Sequence, residues 1–317
     1  MQLALRARLC RFSLIGCFAH TIVKVVVEED TPSIVPSVLT EQMVNIGGEQ
    51  MAHHKLPSGV TLHIEEAGTG RPIVFIPGVM MNGQFFRNQL TGLSDEFWVV
   101  LPDMRAHGQS EKVLSGHTVA NYAHDLRELF SVMSIERPIL VGWSMGAMVL
   151  YDYLKQFGQD DVAGIIIVDQ PPSDFAWEGY PFGLITVESL AEFVEALQMD
   201  QRAVAEEFAN LMQHAPQHQT NAWMIEEICR VPAAVASTIL VNQTLRDDRS
   251  FLPQIDVPAL VLFGRDAKMT SPDAGQFIAN KIPNAQFHIF EHSSHVPFLE
   301  EPEAFNRTVR EFIVSIE

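Results

Sequence analysis

The chain has 317 residues, of which 47 % are hydrophobic and 19 % are charged, a composition that excludes an intrinsically disordered protein and suffices for one large domain with its own core. The formal net charge of −18 argues against nucleic acid and anionic membrane surfaces as partners, because phosphate binding needs a basic surface. Only three cysteines are present, Cys10, Cys17 and Cys229, so no disulfide framework is expected and a reducing compartment is the simplest interpretation.

Residues 1–48 do not follow the pattern of the remainder of the chain. Three arginines precede a short apolar patch at residues 12–19, a layout that resembles an export signal. The patch is too short to span a membrane. We predict an extension that is disordered or lies upstream of the true start, and a cytoplasmic protein. An exported protein is the alternative.

From residue 49 onward, short apolar runs alternate with segments of helical spacing, which predicts strands alternating with helices. Such alternation is typical of an α/β fold with a mostly parallel, twisted sheet and helices on both faces. Predicted strands cover 51–55, 60–66, 73–76, 97–101, 139–141, 162–168, 259–263 and 286–290. Predicted helices cover 84–93, 119–133, 147–157, 271–281 and 303–316.

The alternation is interrupted between residues 171 and 245, where the pattern indicates only helices. We predict that this segment is a helical cap inserted into an α/β core formed by residues 49–170 and 246–317. The cap helices are expected at 187–197, 202–213, 223–229 and 233–245.

Within the predicted core, a serine lies between two glycines where a strand passes directly into a helix. The strand at 139–141 is followed by Gly142-Trp143-Ser144-Met145-Gly146, which matches G-x-S-x-G. In a nucleophile elbow the glycines are required because the turn leaves no room for side chains, and the serine hydroxyl is exposed. We therefore predict that Ser144 is a nucleophile, the alternative being a serine in an ordinary loop.

A serine nucleophile needs a base, a carboxylate that orients the base, and N–H donors for the oxyanion. In elbow enzymes the acid and then the base follow the serine in the chain. Asp266 comes directly after the strand at 259–263, and His295 lies in the loop after the strand at 286–290. We predict Asp266 as the acid and His295 as the base, with Asp169 as the alternative acid and His292 as the alternative base.

The oxyanion is expected to be bound by two backbone amides, one from the residue after the nucleophile and one from the loop after the strand at 73–76. These are the amides of Met145 and Val79. Apolar side chains near the elbow and in the cap are expected to line the substrate pocket. They are Met80, Trp143, Trp177, Phe182, Phe193 and Val296.

Together these motifs resemble the α/β-hydrolase superfamily from about residue 49 to the C-terminus. They are Pro77-Gly78, the segment Asp103-Met104-Arg105-Ala106-His107-Gly108-Gln109-Ser110, the elbow, Gly264-Arg265-Asp266, and Ser294-His295. Within the superfamily the chain is most similar to the esterase and non-haem chloroperoxidase-like (perhydrolase) serine hydrolases. The resemblance implies Ser144, Asp266 and His295 as the triad, with Val79 and Met145 as oxyanion donors.

The chain departs from the pattern of this group in three places. Pro77 stands where the family usually has histidine, and Ala106 where glycine is common. The run Val79-Met80-Met81 lacks the proline that perhydrolase relatives commonly have, which favours ester hydrolysis over perhydrolysis.

The sequence therefore predicts a serine hydrolase that cleaves a carboxylic ester or lactone of a small-to-medium apolar substrate through an acyl-enzyme. Perhydrolysis or haloperoxidation, and carbon–carbon bond hydrolysis, are alternatives on the same triad. A ligand-binding receptor with little turnover is an alternative of another class. No cofactor, metal, nucleic acid or membrane span is expected: H-E-x-x-H and the phosphate-binding glycine motifs are absent from the sequence.

Overall fold

In the computed structural model, the described part of the chain comprises residues 43–44 and 49–316. Apart from the two-residue strand at 43–44, the predictions for residues 1–48 lie outside the described residues. Within the described part, no helix is both long and apolar enough to cross a bilayer.

Nine strands form one sheet in the described residues. The strands are β1 (Met43–Val44), β2 (Gln50–Lys55), β3 (Thr61–Ala67), β4 (Arg71–Ile76), β5 (Phe97–Pro102), β6 (Ile139–Trp143), β7 (Gly164–Val168), β8 (Ala259–Gly264) and β9 (Ala285–Phe290). Their order across the sheet is β1-β2-β3-β5-β4-β6-β7-β8-β9. The pairs β1–β2, β2–β3 and β3–β5 are antiparallel, and all the remaining pairs, from β5–β4 to β8–β9, are parallel.

The central parallel strands carry continuous apolar runs because they are covered on both faces. Every residue of β6, β7 and β8 is buried. The α-helices of the core are α1 (Arg87–Leu93), α2 (Val119–Met133), α3 (Met145–Phe157), α8 (Pro272–Ala279), α9 (Pro297–Glu300) and α10 (Pro302–Ser315). In α2 the buried residues recur every three to four positions, as an amphipathic helix requires.

Between β7 and β8 the chain forms four further α-helices and a short 3-10 helix at Leu252–Gln254, and no strand apart from a single bridge between Phe175 and Ile185. Two of them, α4 and α7, contact each other, as do α5 and α6. They are α4 (Val187–Met199), α5 (Gln201–Leu211), α6 (His218–Ile228) and α7 (Ala233–Thr244). We refer to residues 171–245 as the cap segment.

Parallel pairing brings the carboxyl ends of β4, β6, β7, β8 and β9 to one edge of the sheet. Trp143, the last residue of β6, pairs with Val168, the last residue of β7. Ser144 and Asp169 therefore leave the sheet side by side. Open α/β sheets place their sites at this edge.

Candidate active site

Ser144 occupies a strained turn between β6 and α3. Its backbone has φ of 53° and ψ of −125°, a combination that a non-glycine residue adopts only when the surrounding structure enforces it. A Cβ at Gly142 would lie 2.5 Å from the Gly146 carbonyl oxygen, and a Cβ at Gly146 would lie 2.1 Å from that of Ile76. The turn therefore excludes side chains at both glycines, for the steric reason expected from the motif.

His295 follows β9 and reaches the same sheet edge. Its Nδ1 lies 2.8 Å from Oδ1 of Asp169. Both side chains are almost fully buried, with 4 % of His295 and 2 % of Asp169 exposed, as is Ser144 with 9 %. The backbone is held from two sides, because the Trp143 indole donates to the His295 carbonyl at 2.9 Å and the His295 amide donates to the Met212 carbonyl at 2.9 Å.

The Asp169 carboxylate accepts two hydrogen bonds besides the one from the imidazole. The Gly264 amide donates to its Oδ2 at 2.9 Å, and the Thr270 hydroxyl donates to its Oδ1. Three contacts therefore converge on this carboxylate and fix its orientation. An acceptor at Nδ1 places the imidazole proton there and leaves Nε2 with a lone pair, the form that a general base requires.

The structure contradicts the predicted contact between Asp266 and His295. The Asp266 carboxylate is partly exposed, where it lies 3.0 Å from Nδ1 of His214 and 3.6 Å from the Lys268 ammonium. Its amide donates to the Ser293 carbonyl at 3.0 Å, so the loop after β8 bends towards the β9 loop and turns the side chain outward. The carboxylate on His295 comes instead from Asp169, the alternative acid.

The alternative base, His292, does not occupy a comparable position. It is exposed, and its amide donates to the Glu301 carboxylate at 3.0 Å. His295 is therefore the histidine that the β9 loop presents to the buried carboxylate.

The loop after β4 lies over the nucleophile. A Cβ at Gly78 would lie 3.1 Å from Cβ of Ser144, so glycine at this position allows the loop to approach closely. Val79 is buried and lines the same cavity as Ser144 and His295. Met145 is the first residue of α3, and the first amides of a helix have no intrahelical acceptor. Val79 and Met145 thus both lie beside the serine.

A buried histidine, His107, supports this loop, and sequence analysis did not assign it that role. The Met80 amide donates to its Nε2 at 3.3 Å, while its Nδ1 lies 3.0 Å from the Arg105 carbonyl. Met80 has φ of 64°, which is costly for a side chain with a Cβ. Burial lowers the pKa of His107 to about 4. The ring is neutral at physiological pH, and its Nε2 is available as an acceptor.

A cavity of about 90 Å³ opens beside Ser144 and His295. Most of its other lining side chains are apolar, and several come from the cap segment. The lining residues are Val79, Ser144, Gln170, Pro171, Asp174, Leu184, Ile185, Phe193, Phe208, Leu240, Gln243, Met269, Thr270 and His295. An outer groove of about 650 Å³ shares five of these, Leu184, Ile185, Phe193, Phe208 and Met269, and extends between α4 and α5.

Of the six side chains predicted to line the pocket, Phe193 lines the cavity and the groove. Met80 and Val296 are buried in the core. Trp143 lies beneath the site, packed against Phe298 with ring centroids 4.9 Å apart.

The two aromatic residues predicted from the cap segment are engaged elsewhere. The Trp177 indole donates to the Ser173 hydroxyl at 2.8 Å. Phe182 packs against Tyr180 and Phe277, with centroids 5.6 Å from each. Five of the six predicted pocket residues therefore stabilise the structure around the cavity without lining it.

Among the described residues, no cluster of three or more histidine, cysteine or acidic side chains has the geometry to bind a metal ion. The chemistry that the described site supports is nucleophilic attack by a serine, assisted by a histidine whose orientation a buried carboxylate sets.

Comparisons with known proteins show the family to which the chain belongs. Residues 73–308 match the model of the alpha/beta hydrolase family. The chain is 28 % identical to the non-heme chloroperoxidase CPO-A1 of Kitasatospora aureofaciens, over 80 % of this chain and 96 % of that protein. It is 26 % identical to the pimeloyl-[acyl-carrier protein] methyl ester esterase of Nitrosomonas europaea, over 77 % of this chain and 96 % of that protein.

Among solved structures, the esterase EaEST from Exiguobacterium antarcticum superimposes with a TM-score of 0.79 at 22 % identity, covering 82 % of this chain and 98 % of that one. At this identity the likeness shows the fold. The family match covers most of the chain, and the chain therefore belongs to the alpha/beta hydrolase family.

Proposed function

We propose that this protein is a serine hydrolase that cleaves a carboxylic ester or lactone of a small-to-medium apolar substrate. The observation that carries the proposal is the 2.8 Å contact between His295 Nδ1 and Asp169 Oδ1 in the cavity that Ser144 lines. The activities named for the relatives support an acyl-transfer reaction of this kind.

In the proposed mechanism, His295 Nε2 removes the Ser144 proton while Oγ attacks the substrate carbonyl carbon. The Val79 and Met145 amides bind the oxyanion. His295 then gives the proton to the departing alkoxide, and the acyl group remains on Ser144. Water, deprotonated by the same imidazole, releases the acid. Asp169 keeps the proton on Nδ1 and stabilises the imidazolium that forms.

The shape of the site supports an apolar substrate. The cavity beside Ser144 is small, and the groove beyond it is lined mainly by aliphatic and aromatic side chains of the cap segment. We propose that the reacting carbonyl sits in the cavity and that the remainder of the substrate extends into the groove.

The first test is Ser144→Ala, with Ser131→Ala, an exposed serine in α2, as the matched control. We expect Ser144→Ala to lower kcat for a short-chain p-nitrophenyl ester by at least about 10³-fold, because no other group forms the acyl-enzyme. Ser131→Ala should retain wild-type turnover and labelling by a fluorophosphonate probe. Turnover by Ser144→Ala close to that of the wild type would exclude the mechanism.

The same proteins separate the alternatives. Binding of an apolar ester without labelling or turnover by the wild type would indicate a receptor. Peroxide-dependent bromination faster than ester hydrolysis would indicate a perhydrolase. We expect hydrolysis to be faster, because Val79-Met80-Met81 lacks the proline that perhydrolase relatives commonly have.

A further inference from the structure

Three polar side chains that the proposed mechanism does not use lie together in the cavity wall. Asp174 is the centre of this cluster: Nε2 of Gln170 donates to its Oδ1 at 2.6 Å, and Nε2 of Gln243 donates to its Oδ2 at 3.0 Å. All three residues line the cavity together with Ser144 and His295. We call Gln170, Asp174 and Gln243 the polar wall.

The carboxylate determines how both amides are oriented. Because it accepts hydrogen bonds, each glutamine must turn its NH2 group towards Asp174 and its carbonyl oxygen away from it. Gln243 is only 4 % exposed, and its Oε1 has no hydrogen-bond partner among the described residues. A buried acceptor without a donor is destabilising, because it has lost its hydrogen bonds to water without replacement. Such an arrangement is explained if the missing donor arrives with a ligand.

The charges around the polar wall restrict what that ligand can be. Burial raises the pKa of the Asp174 carboxyl, whereas the hydrogen bonds from Gln170 and Gln243 and the nearby His295 oppose the rise. Among the described residues that line the cavity, none is lysine or arginine. A negatively charged group at the polar wall would face acceptor oxygens and no lysine or arginine of the cavity lining. A neutral donor could instead donate a hydrogen bond to Gln243 Oε1 or to a carboxylate oxygen of Asp174.

We propose that Asp174 and Gln243 bind a hydrogen-bond donor carried by the substrate, a hydroxyl or an amide N–H, so that the enzyme prefers donor-bearing esters over purely hydrocarbon ones. The inference rests on the proposed ester hydrolase function and narrows its substrate class. Gln170 is a positioning residue, since both hydrogens of its amide are used, one on Asp174 and one on the Pro171 carbonyl at 2.9 Å.

The test compares kcat/KM for butyl butanoate with that for butyl butanoates carrying a hydroxyl or an acetamido group on the acyl or the alkyl chain. Acid release is followed by titration at constant pH. For the best donor-bearing ester we expect a preference of about tenfold in the wild type, the size of one hydrogen bond to a buried acceptor. The hydroxyl and acetamido series show which donor is preferred.

Two variants then test the polar wall. Gln243→Met keeps the length of the side chain and removes the acceptor, and Asp174→Asn replaces one carboxylate oxygen with a donor. In each we expect the preference to fall at least threefold. The control is Gln198→Leu in α4, whose amide donates to the Ser237 hydroxyl at 2.9 Å outside the cavity lining. It should keep the wild-type preference.

A wild-type preference above about threefold that falls in either variant supports the proposal, and every other result overturns it. Because two variants are measured, the test still gives a result if one of them fails to fold. The proposed hydrolase function is tested separately by Ser144→Ala. If that variant is inactive while the wild type does not prefer donor-bearing esters, only the role of the polar wall is wrong.

Discussion

At the scale of single residues, the choice between two aspartates decides how the base is oriented. Asp169 follows β7, the strand beside the nucleophile strand, and has φ of 47°, a left-handed conformation for which three hydrogen bonds compensate. Asp266 follows the next strand and bonds to an exposed histidine, His214. Both satisfy the order serine, acid, base, so chain order alone does not separate them.

We expect Asp169→Asn to lower kcat for a p-nitrophenyl ester by about 10³–10⁴-fold, because an amide at this position favours the wrong tautomer of His295. The matched change Asp266→Asn weakens only partly exposed contacts with His214 and Lys268, each of which contributes less than about 1 kcal/mol to stability, and it should leave kcat within about twofold. The ratio of the two effects is measured by steady-state kinetics. A larger loss of kcat in Asp266→Asn than in Asp169→Asn would support Asp266 as the acid.

At the scale of secondary-structure elements, Gly264 allows the β9 loop to cross the end of β8. A Cβ here would lie 2.1 Å from the Ser294 carbonyl oxygen and 2.5 Å from that of Ser293. The Gly264 amide also donates to Asp169. One residue thus sets the separation between the loop that carries the base and the carboxylate that orients it.

Gly264→Ala should therefore displace the loop, with a loss of about 1–3 kcal/mol in stability and at least about tenfold in kcat. The control is Gly158→Ala at the end of α3, where φ is 79° but no atom lies within 4 Å of an added Cβ. It should lose stability by about 1–2 kcal/mol with kcat unchanged. Denaturant unfolding and ester kinetics measure the two quantities. Unaltered kcat in Gly264→Ala would show that the loop accommodates a methyl group without moving the base.

The elements themselves differ in how well local sequence predicts them. Helix α2 has the predicted bounds. Its amphipathic spacing ends at a capping residue on each side. At the N-terminus the Thr118 hydroxyl accepts a hydrogen bond from the Asn121 amide at 3.2 Å, and at the C-terminus Ser134 adopts the left-handed conformation with φ of 56°. By contrast, the predicted helix at 84–93 divides into a 3-10 turn at Gly83–Phe86 and a shorter α-helix.

Part of the reason for this division is non-local. The Gly83 amide donates to the Asp103 carboxylate at 2.8 Å, and a Cβ at Gly83 would lie 2.9 Å from the Leu101 carbonyl oxygen. Tertiary contacts therefore set the conformation of this segment, and apolar spacing alone does not reveal them.

At the scale of the whole molecule, burial of His107 couples the stability of the fold to pH. The pKa of His107 is lowered from 6.5 to about 4 by burial. The unfolded chain therefore binds one more proton than the native state between these values, and this contribution to stability is complete above pH 6.5 and declines as pH falls towards 4. The full difference is about 3 kcal/mol.

The corresponding variant is His107→Gln, whose side-chain carbonyl can accept the Met80 amide without titrating. We expect the free energy of unfolding to fall less steeply in His107→Gln than in the wild type between pH 6.5 and 4, by up to about 3 kcal/mol in total. Urea unfolding across this pH range measures the difference. Parallel curves for the two proteins would contradict the assigned shift, since the other titrating groups are common to both.

The sequence by itself determined the α/β class, most strand positions and the elbow around Ser144, because these follow from local apolar runs and from glycines that only a tight turn requires. It also indicated a helical segment between β7 and β8. Only the tertiary structure decided that Asp169 holds His295, that His107 supports the loop of Met80, and that Gln170, Asp174 and Gln243 share one wall. Each of these depends on side chains from different strands and helices meeting at one sheet edge, and on the direction in which loops leave it. Spacing along one chain does not contain that information.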